Sequence, residues 1–195
     1  MTVTFDFKPA RYGDVLADLI GEARPNPLDA GQPNQTVYPK LTTLTVDKAF
    51  AGQPIRDQSM AEACLSAVWL YHNYLDQSHT LSQSITSATG SYWHGIMHRR
   101  EPDAPNAKYW FRRVGHHPVF EEMAPLAAGL AGSAQVEKSA AFLQDETKWD
   151  PYAFIDLCDA AMHGRSSLAE LCRQIQLLEW QLLFDYSYQH AIGHH

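Results

Sequence analysis

Two sets of potential metal ligands with the same spacing stand near the middle of the chain. Both sets combine imidazole and carboxylate groups at positions i, i+4 and i+7: His72, Asp76 and His79 in the first, and His94, His98 and Glu101 in the second. In an α-helix of about 3.6 residues per turn, these positions fall on one face. Each set therefore predicts a stripe of imidazole and carboxylate groups along one helix.

The two stripes are expected to face each other. The helical pattern breaks at 88–90, which predicts a turn between the two helices. In an antiparallel hairpin with that turn, a rise of about 1.5 Å per residue places His79 about 12 Å and His98 about 10 Å from the turn. Asp76 and Glu101 come level at roughly 15 Å. We therefore expect His79 to meet His98, and Asp76 to meet Glu101, across one interface.

These four residues are the predicted catalytic groups, acting as metal ligands or as general acids and bases. The predicted metal set adds the two remaining histidines and consists of His72, Asp76, His79, His94, His98 and Glu101. A divalent transition metal such as Zn, Mn or Fe suits such a site between bundle helices. The chain holds no HExxH motif. Two alternatives therefore stay open: a metal-free polar site, and a purely structural network of hydrogen bonds.

A basic and aromatic segment follows the second stripe in an otherwise acidic chain. The formal charge is −7, from 15 Lys and Arg against 22 Asp and Glu. Five of the positive charges nevertheless lie within 99–113. Arginine binds carboxylate and phosphate in a bidentate way, and aromatic rings stack on sugars or bases. The predicted substrate-binding residues are Arg99, Arg112, Arg113, Trp93, Trp110 and His117.

The alternative for this segment is a set of internal salt bridges with the aromatic side chains in the core. Arg100 lies on the apolar side of its helix, so we expect it to have a specific partner inside the protein. If the segment instead binds a ligand, its partner is predicted to be a small anionic or sugar-like molecule.

Helical periodicity predicts an all-α fold, with residues 1–195 forming a single-domain helical bundle. The pattern predicts helices near 14–23, 59–87, 91–100, 118–131, 136–145, 152–162 and 167–188. Capping boxes at Ser59–Glu62 and Ser167–Glu170 mark two of the starts. The helix from Ser59 is apolar on most sides, which is typical of a central helix.

Residues 24–58 are the predicted exception to this helical pattern. Pro25, Pro27, Pro33 and Pro39 punctuate the segment. Proline lacks an amide donor and disfavours helix in the residue before it. We therefore expect an extended or looped N-terminal arm, followed by the helical core at 59–190.

The composition excludes several classes of protein. With 45% hydrophobic residues the chain is too apolar for a disordered protein. Its acidic balance argues against a nucleic-acid partner. No stretch reaches the ~18–20 apolar residues of a membrane span. The N-terminus has no signal-peptide pattern, and the three cysteines lack CxxC spacing. We therefore expect a cytoplasmic protein with reduced thiols.

Three functions are compatible with these patterns. The first is an enzyme acting on a small molecule, hydrolase-like because water is the commonest nucleophile that such a site activates. The second is a non-catalytic module that binds a small anionic or sugar-like ligand in the same cleft. The third is a structural protein that forms a homodimer through the helix at Leu168–Phe184.

The most distinctive part of the sequence runs from Ser91 to Asp103 (SYWHGIMHRREPD) and continues through NAKYWFRRVG at 106–115 and His117-Pro118. This stretch resembles a family of small uncharacterised, hypothetical proteins. The resemblance extends back to Trp69–Ser82 and covers about a quarter of the chain. It implies no activity, fold or cofactor.

Overall fold

The computed structural model describes residues 5–22, 24–132 and 138–194. Over these ranges the chain is all-α, as the sequence predicted, and contains no strand. The α-helices in chain order are α1 Asp14–Ile20, α2 Tyr38–Leu41, α3 Val46–Ala49, α4 Gln58–Tyr71, α5 Leu75–Ser82, α6 Ala88–Arg100, α7 Ala104–Val114, α8 Val119–Ala131, α9 Pro151–Met162 and α10 Ala169–Ile192. The described 3-10 helices are Pro9–Tyr12 and Lys138–Gln144.

The predicted helix over 59–87 is wrong, because the chain forms two helices there. α4 ends at Tyr71, and α5 begins after Asn73 has adopted a left-handed backbone with a φ of 65°. Asparagine tolerates this conformation better than most residues. Two contacts from distant parts of the chain hold the turn. The Asn73 amide donates to the Gln32 carbonyl at 2.8 Å, and Arg100 donates to Asn73 Oδ1 at 2.7 Å.

Side-chain caps set the starts of the helices around the site. The N-cap residues of α4, α6, α7 and α9 are Asp57, Ser87, Asp103 and Asp150. Each accepts hydrogen bonds from the free amides of the first turn. At α4 the predicted cap, Ser59, instead donates its hydroxyl to Asp57 at 2.7 Å. At α10 the predicted capping box is absent, since the N-cap is Leu168, which makes no side-chain cap.

α6 is the most deeply placed helix, with every residue from Thr89 to Arg100 buried. A three-residue connection leads into α7, which returns along α6 in close contact. At Gly95 the two helices approach so tightly that an added Cβ would lie 2.8 Å from the Phe111 ring. A larger residue at this position would therefore push α7 away from α6.

α10 crosses the interior and buries apolar side chains against α4 and α8. Its buried apolar residues are Cys172, Ile175, Trp180, Leu182, Leu183, Phe184, Tyr188 and Ala191. Most of the apolar face at Leu168–Phe184 is thus covered within the chain itself. The homodimer predicted through this helix stays a prediction.

The segment 24–58 is an arm with two one-turn helices, α2 and α3, and it packs on the helical body. Leu41 is fully buried, and Val37 and Leu44 lie against the core. Arg100 holds the start of the arm, since its guanidinium donates to the carbonyls of Asp29 and Ala30 at 3.1–3.2 Å. The same side chain donates to the Leu70 carbonyl at 2.9 Å. The prediction that Arg100 has specific internal partners is confirmed.

α7 was not predicted as a helix, since the sequence indicated a loop and a basic-aromatic segment there, but the other helices lie near their predicted positions. α8 and α9 begin within a residue of prediction, and α10 extends four residues beyond it. The predicted helix 136–145 is a 3-10 helix, Lys138–Gln144, and residues 136–137 lie outside the described residues. Across the described ranges, no helix combines the length and the apolar character that crossing a bilayer requires.

Candidate metal centre

Three histidine side chains from two helices converge on one point. His79 of α5 and His94 and His98 of α6 each place one ring nitrogen within 4.8 Å of the other two. The ring centroids are 4.5 Å apart for His79 and His94, 4.7 Å for His94 and His98, and 5.4 Å for His79 and His98. We call these three residues the histidine cluster. In the part of the chain that the structure describes, it is the group that could hold a metal ion.

Helix geometry explains why these rings meet. His94 and His98 are four residues apart on α6, so their side chains lie one above the other on the same face. A short connection at 83–87 returns the chain, and α5 packs against α6. His79 lies in the last turns of α5 and reaches across this interface. The structure thus brings His79 near His98, as predicted, although His79 lies nearer to His94. The predicted turn at 88–90 is wrong, because these residues form the first turn of α6 and the connection lies at 83–87.

Ser82 contacts the Nδ1 atom of His94. Its hydroxyl oxygen lies 2.8 Å from both the Ser78 carbonyl oxygen and His94 Nδ1. A hydroxyl has one proton, so it donates to one of these two atoms. When it donates to the carbonyl, His94 Nδ1 is the donor and Nε2 keeps the lone pair that a metal ion needs.

The tautomer of His98 is set by Glu101. The Glu101 carboxylate lies 2.9 Å from His98 Nδ1, on the turn that ends α6. A carboxylate only accepts, so Nδ1 is the donor and Nε2 again holds the free lone pair. Metal-binding histidines commonly donate their other N–H to a carboxylate or other oxygen. His98 has this arrangement.

Both α6 histidines are neutral at pH 7. His94 is 1% exposed, and burial, aided by the neighbouring His98 and His79 rings, lowers its pKa to about 3. Burial also lowers the pKa of His98, and this effect outweighs the opposing attraction of Glu101. Neutral imidazole is the form that binds a metal ion. His94 and His98 therefore need not lose a proton before they bind an ion.

The helix α7 forms the outer wall of the cluster. Trp110 lies against His94 with ring centroids 4.0 Å apart. One turn earlier, the Asn106 amide nitrogen is 3.2 Å from Nε2 and 3.4 Å from Nδ1 of His98. An amide that is nearly equidistant from both ring nitrogens lies over the face of the ring and not in its plane. Asn106 therefore leaves the in-plane lone pair of Nε2 accessible.

The donor set and its spacing suit a small transition metal. Zn–N bonds of about 2.0–2.1 Å in a tetrahedral site place nitrogen ligands about 3.4 Å apart. The observed nitrogens lie within 4.8 Å of one another, so modest side-chain rotations close the difference. His79 is only half-buried, which leaves this side of the cluster accessible from solvent. Three nitrogen ligands with an open fourth position are the arrangement of catalytic zinc sites.

His72, a predicted ligand, lies outside the cluster. It follows the last residue of α4, and the turn at Asn73 directs it away from α5. Its Nε2 donates to the Leu19 carbonyl at 2.8 Å, and its Nδ1 lies 3.4 Å from the Asn34 amide. Both nitrogens are therefore used inside the protein, and the predicted stripe from His72 to His79 does not exist.

The predicted pairing of Asp76 with Glu101 is also absent. Asp76 is exposed on α5 and does not belong to the described metal-type group. Glu101 contacts the cluster through His98 and is not one of its three converging ligands. The sequence predicted Asp76 and Glu101 as two carboxylate ligands. In the structure, Glu101 contributes a hydrogen-bond acceptor to His98, and Asp76 does not contribute to the cluster.

Three of the predicted substrate-binding residues lie in the interior. Arg99 is 1% exposed and forms an ion pair with Glu179 at 2.5 Å. Trp93 is fully buried and donates its Nε1–H to Ser187. His117 is buried with Nε2 3.2 Å from the Thr89 hydroxyl, while its Nδ1 accepts from a backbone amide. For these residues the internal alternative describes the structure.

The other three lie together along α7. Arg112 and Arg113 are exposed, and their guanidinium groups lie over the rings of Tyr109 and Trp110 at 5.7 and 5.2 Å. Trp110 is half-buried, between His94 and Arg113. A cationic rim therefore begins one side chain away from the histidine cluster.

Sequence reasoning missed two contributors, Ser82 and Asn106. The signal for Asn106 was present: if the chain turns at 101–103, counting outward pairs His98 with Asn106 and His94 with Trp110. For His79 and His98 the same counting started from a turn at 88–90, which the structure places inside α6. Ser82 lies three residues after His79 and gives no comparable signal, since serine is common on helix surfaces.

Comparison of the chain with protein-family models, with curated proteins and with solved structures gives no match. The resemblance of the 91–118 stretch to a family of small proteins therefore stays a prediction.

Proposed function

We propose that this protein is a metal-dependent enzyme of hydrolase type, with a divalent transition metal held by His79, His94 and His98. The observation that carries the proposal is the convergence of three imidazole nitrogens, with Nδ1 of His98 donating to Glu101 and Nδ1 of His94 in contact with the Ser82 hydroxyl. A structural network would use the ring nitrogens internally, as His72 does.

The ligand set favours zinc-type chemistry. Three neutral imidazoles leave the full charge of a divalent ion uncompensated, so an ion held there lowers the pKa of a bound water strongly. Such a water is a nucleophile at neutral pH, and the ion also polarises a carbonyl or phosphoryl oxygen. Glu101, hydrogen-bonded to His98, holds that ring and raises its basicity.

The substrate in this proposal is a small anionic molecule. Arg113 lies over Trp110, which in turn lies against His94. This arrangement presents an exposed guanidinium close to the cluster, and guanidinium groups bind carboxylate or phosphate. Arg112 adds a second positive charge on the same helix. The acidic net charge elsewhere makes this basic rim the favourable approach for an anion.

We infer a reducing compartment, the cytoplasm, from the cysteines. Cys64, Cys158 and Cys172 are buried cysteines, and burial raises the pKa of the Cys64 and Cys158 thiols well above the usual range. Buried thiols of this kind are protected from oxidation and behave as small hydrophobic residues.

Metal content tests the proposal directly. Protein purified without a histidine tag is incubated with Zn²⁺, Mn²⁺ or Fe²⁺, dialysed, and measured by plasma mass spectrometry. We expect about one ion per chain in the wild type and almost none in His79→Ala. His116→Ala is the matched control, because His116 is exposed and lies outside the cluster. Retention of metal by His79→Ala, or none in the wild type, contradicts the metal site.

The enzymatic part needs a separate assay. Metal-loaded and metal-free protein are compared for hydrolysis of 4-nitrophenyl acetate and 4-nitrophenyl phosphate. We expect turnover only in the loaded wild type and the loaded His116→Ala control. If the protein binds metal in the cluster and hydrolyses neither ester, hydrolysis is rejected and the non-catalytic binding module becomes the better interpretation.

A further inference from the structure

Asn106 is the polar side chain that contacts the cluster without fixing a tautomer. Its amide nitrogen lies over the face of His98, nearer to Nε2 at 3.2 Å than to Nδ1 at 3.4 Å. Ser82 and Glu101 bind Nδ1 atoms on the far side of their rings from the free lone pairs. Asn106 thus lies on the side where His98 would bind an ion.

The position of Asn106 is fixed by the start of α7. Its backbone amide donates to the Asp103 side chain at 3.1 Å, which is the N-cap contact of that helix. Trp110, one turn later, packs on His94. Because both ends of this face of α7 are in contact with α6, the Asn106 side chain has a defined height above the His98 ring.

Distances decide what the amide can reach. An ion bound in the plane of His98, about 2.1 Å from Nε2, lies roughly 4 Å from an amide nitrogen above that ring. This is too far for Asn106 to be a ligand. An oxygen atom bound to the ion on the same side comes within the ~2.9 Å of an N–H···O hydrogen bond.

We propose that Asn106 donates a hydrogen bond to an oxygen ligand in the open fourth position of the metal site, and so selects for anionic oxygen. This inference rests on the proposed function, because it needs an ion at the histidine cluster. It deepens that function by naming the ligand chemistry: a carboxylate, a hydroxide or another oxyanion. An ion with three neutral ligands keeps its positive charge, which favours the same class of ligand.

The test uses the Co²⁺-loaded protein, whose visible absorption changes when the fourth ligand is exchanged. Dissociation constants are measured for acetate, an oxygen ligand, and for imidazole, a neutral nitrogen ligand without an oxygen acceptor. The variants are Asn106→Ala and Asn106→Leu, the second of which keeps the side-chain volume on α7. The matched control is Asn34→Ala, which removes another amide that contacts a histidine, His72, outside the cluster.

We expect both Asn106 variants to bind Co²⁺ as the wild type does and to bind acetate about tenfold more weakly, the value of one hydrogen bond to a charged group. Imidazole affinity should not change, and the Asn34 control should match the wild type throughout. Unchanged acetate affinity would overturn the role of Asn106 while leaving the metal site intact. Equal weakening of acetate, imidazole and Co²⁺ would overturn it too, because Asn106 would then only support His98. Wild-type protein that fails to bind Co²⁺ would overturn the proposed function itself.

Discussion

α6 carries two kinds of buried polar contact on opposite sides. On the side facing α10, Arg99 pairs with Glu179, whose second oxygen accepts from Tyr92 at 3.0 Å. On the side facing α5 and α7, Nδ1 of His94 contacts the Ser82 hydroxyl and Nδ1 of His98 donates to Glu101. We call the first region closed, because two opposite charges meet there inside the protein. We call the second open, because its three histidine rings converge on one point without a counter-ion among them.

The difference between the two regions helps to distinguish a structural buried polar group from a candidate binding site. Arg99 and Glu179 compensate each other's charge within the chain, which lowers the cost of burying each of them. His117 has a partner for each of its two ring nitrogens, whereas Nε and Nη1 of the buried Arg99 have no hydrogen-bond partner. His94 and His98 make their polar contacts to Ser82 and Glu101 through Nδ1. The metal ion proposed above would bind the converging nitrogens of the cluster.

Removing the buried ion pair between Arg99 and Glu179 should have the largest effect on stability. Glu179→Gln keeps the shape of the side chain but leaves Arg99 as a buried charge without its counter-ion. We expect the free energy of unfolding to fall by about 3–5 kcal/mol, measured by urea denaturation. The control is Glu170→Gln, which removes an exposed ion pair with Arg173 and should cost at most about 1 kcal/mol. Equal losses in the two variants would show that the Arg99 contact is not a closed pair.

His117 should make the free energy of unfolding depend on pH. Burial lowers the pKa of His117 to about 4, below the value of about 6.5 in the unfolded chain. The unfolded state therefore binds the proton first. The stabilisation is complete above about pH 6.5 and is lost as the pH falls towards 4, by about 3 kcal/mol.

His117→Asn should flatten this part of the pH dependence, because asparagine has no proton to gain. The free energy of unfolding is measured at about pH 7 and about pH 4.5. His116→Asn, an exposed neighbour, should leave the wild-type slope unchanged. An identical slope in His117→Asn and wild type would mean that other groups cause the acid sensitivity.

Zinc binding at the histidine cluster should stabilise the fold. At a free Zn²⁺ concentration about a hundredfold above Kd, binding should raise the free energy of unfolding by about 2.7 kcal/mol. EDTA should reverse the gain, and His79→Ala should show none. A comparable gain in His79→Ala would place the zinc elsewhere in the protein.

Weakening the hydrogen bond between His98 and Glu101 should have the smallest effect, a loss of metal affinity. Glu101→Gln weakens the acceptor for His98 Nδ1 and should reduce metal affinity about 10- to 100-fold, measured by competition with a chelator. Glu121→Gln is the matched control, since Glu121 contacts the exposed His116 at 3.3 Å. If both variants bind metal equally, Glu101 does not act through His98.

Local periodicity was sufficient for much of this arrangement. The i, i+4 spacing of His94 and His98 lies within one uninterrupted helix, so the predicted face is the observed one. This inference needed only helix geometry over a few residues. The approach of His79 to His98 was predicted as well, but from a turn at 88–90 that is in fact the first turn of α6.

Long-range contacts explain the failures. The stripe from His72 failed because the break at Asn73 is held by Arg100 and by the Gln32 carbonyl, 27 and 41 residues away. Arg99 was assigned to a substrate because its partner, Glu179, lies 80 residues downstream. No local pattern distinguishes an arginine that faces solvent from one that faces a distant glutamate.

Arg100 has a consequence for the proteolysis and truncation of this protein. Two residues from His98, it joins α6 to the arm carbonyls of Asp29 and Ala30 and to the end of α4. Cleavage of the arm would strip acceptors from a charge that is 1% exposed. A fragment that begins at residue 58 keeps every ligand of the cluster, yet we expect it to hold metal more weakly than the whole chain. The proposed metal site would therefore depend on residues well before His79, the first of its three histidines.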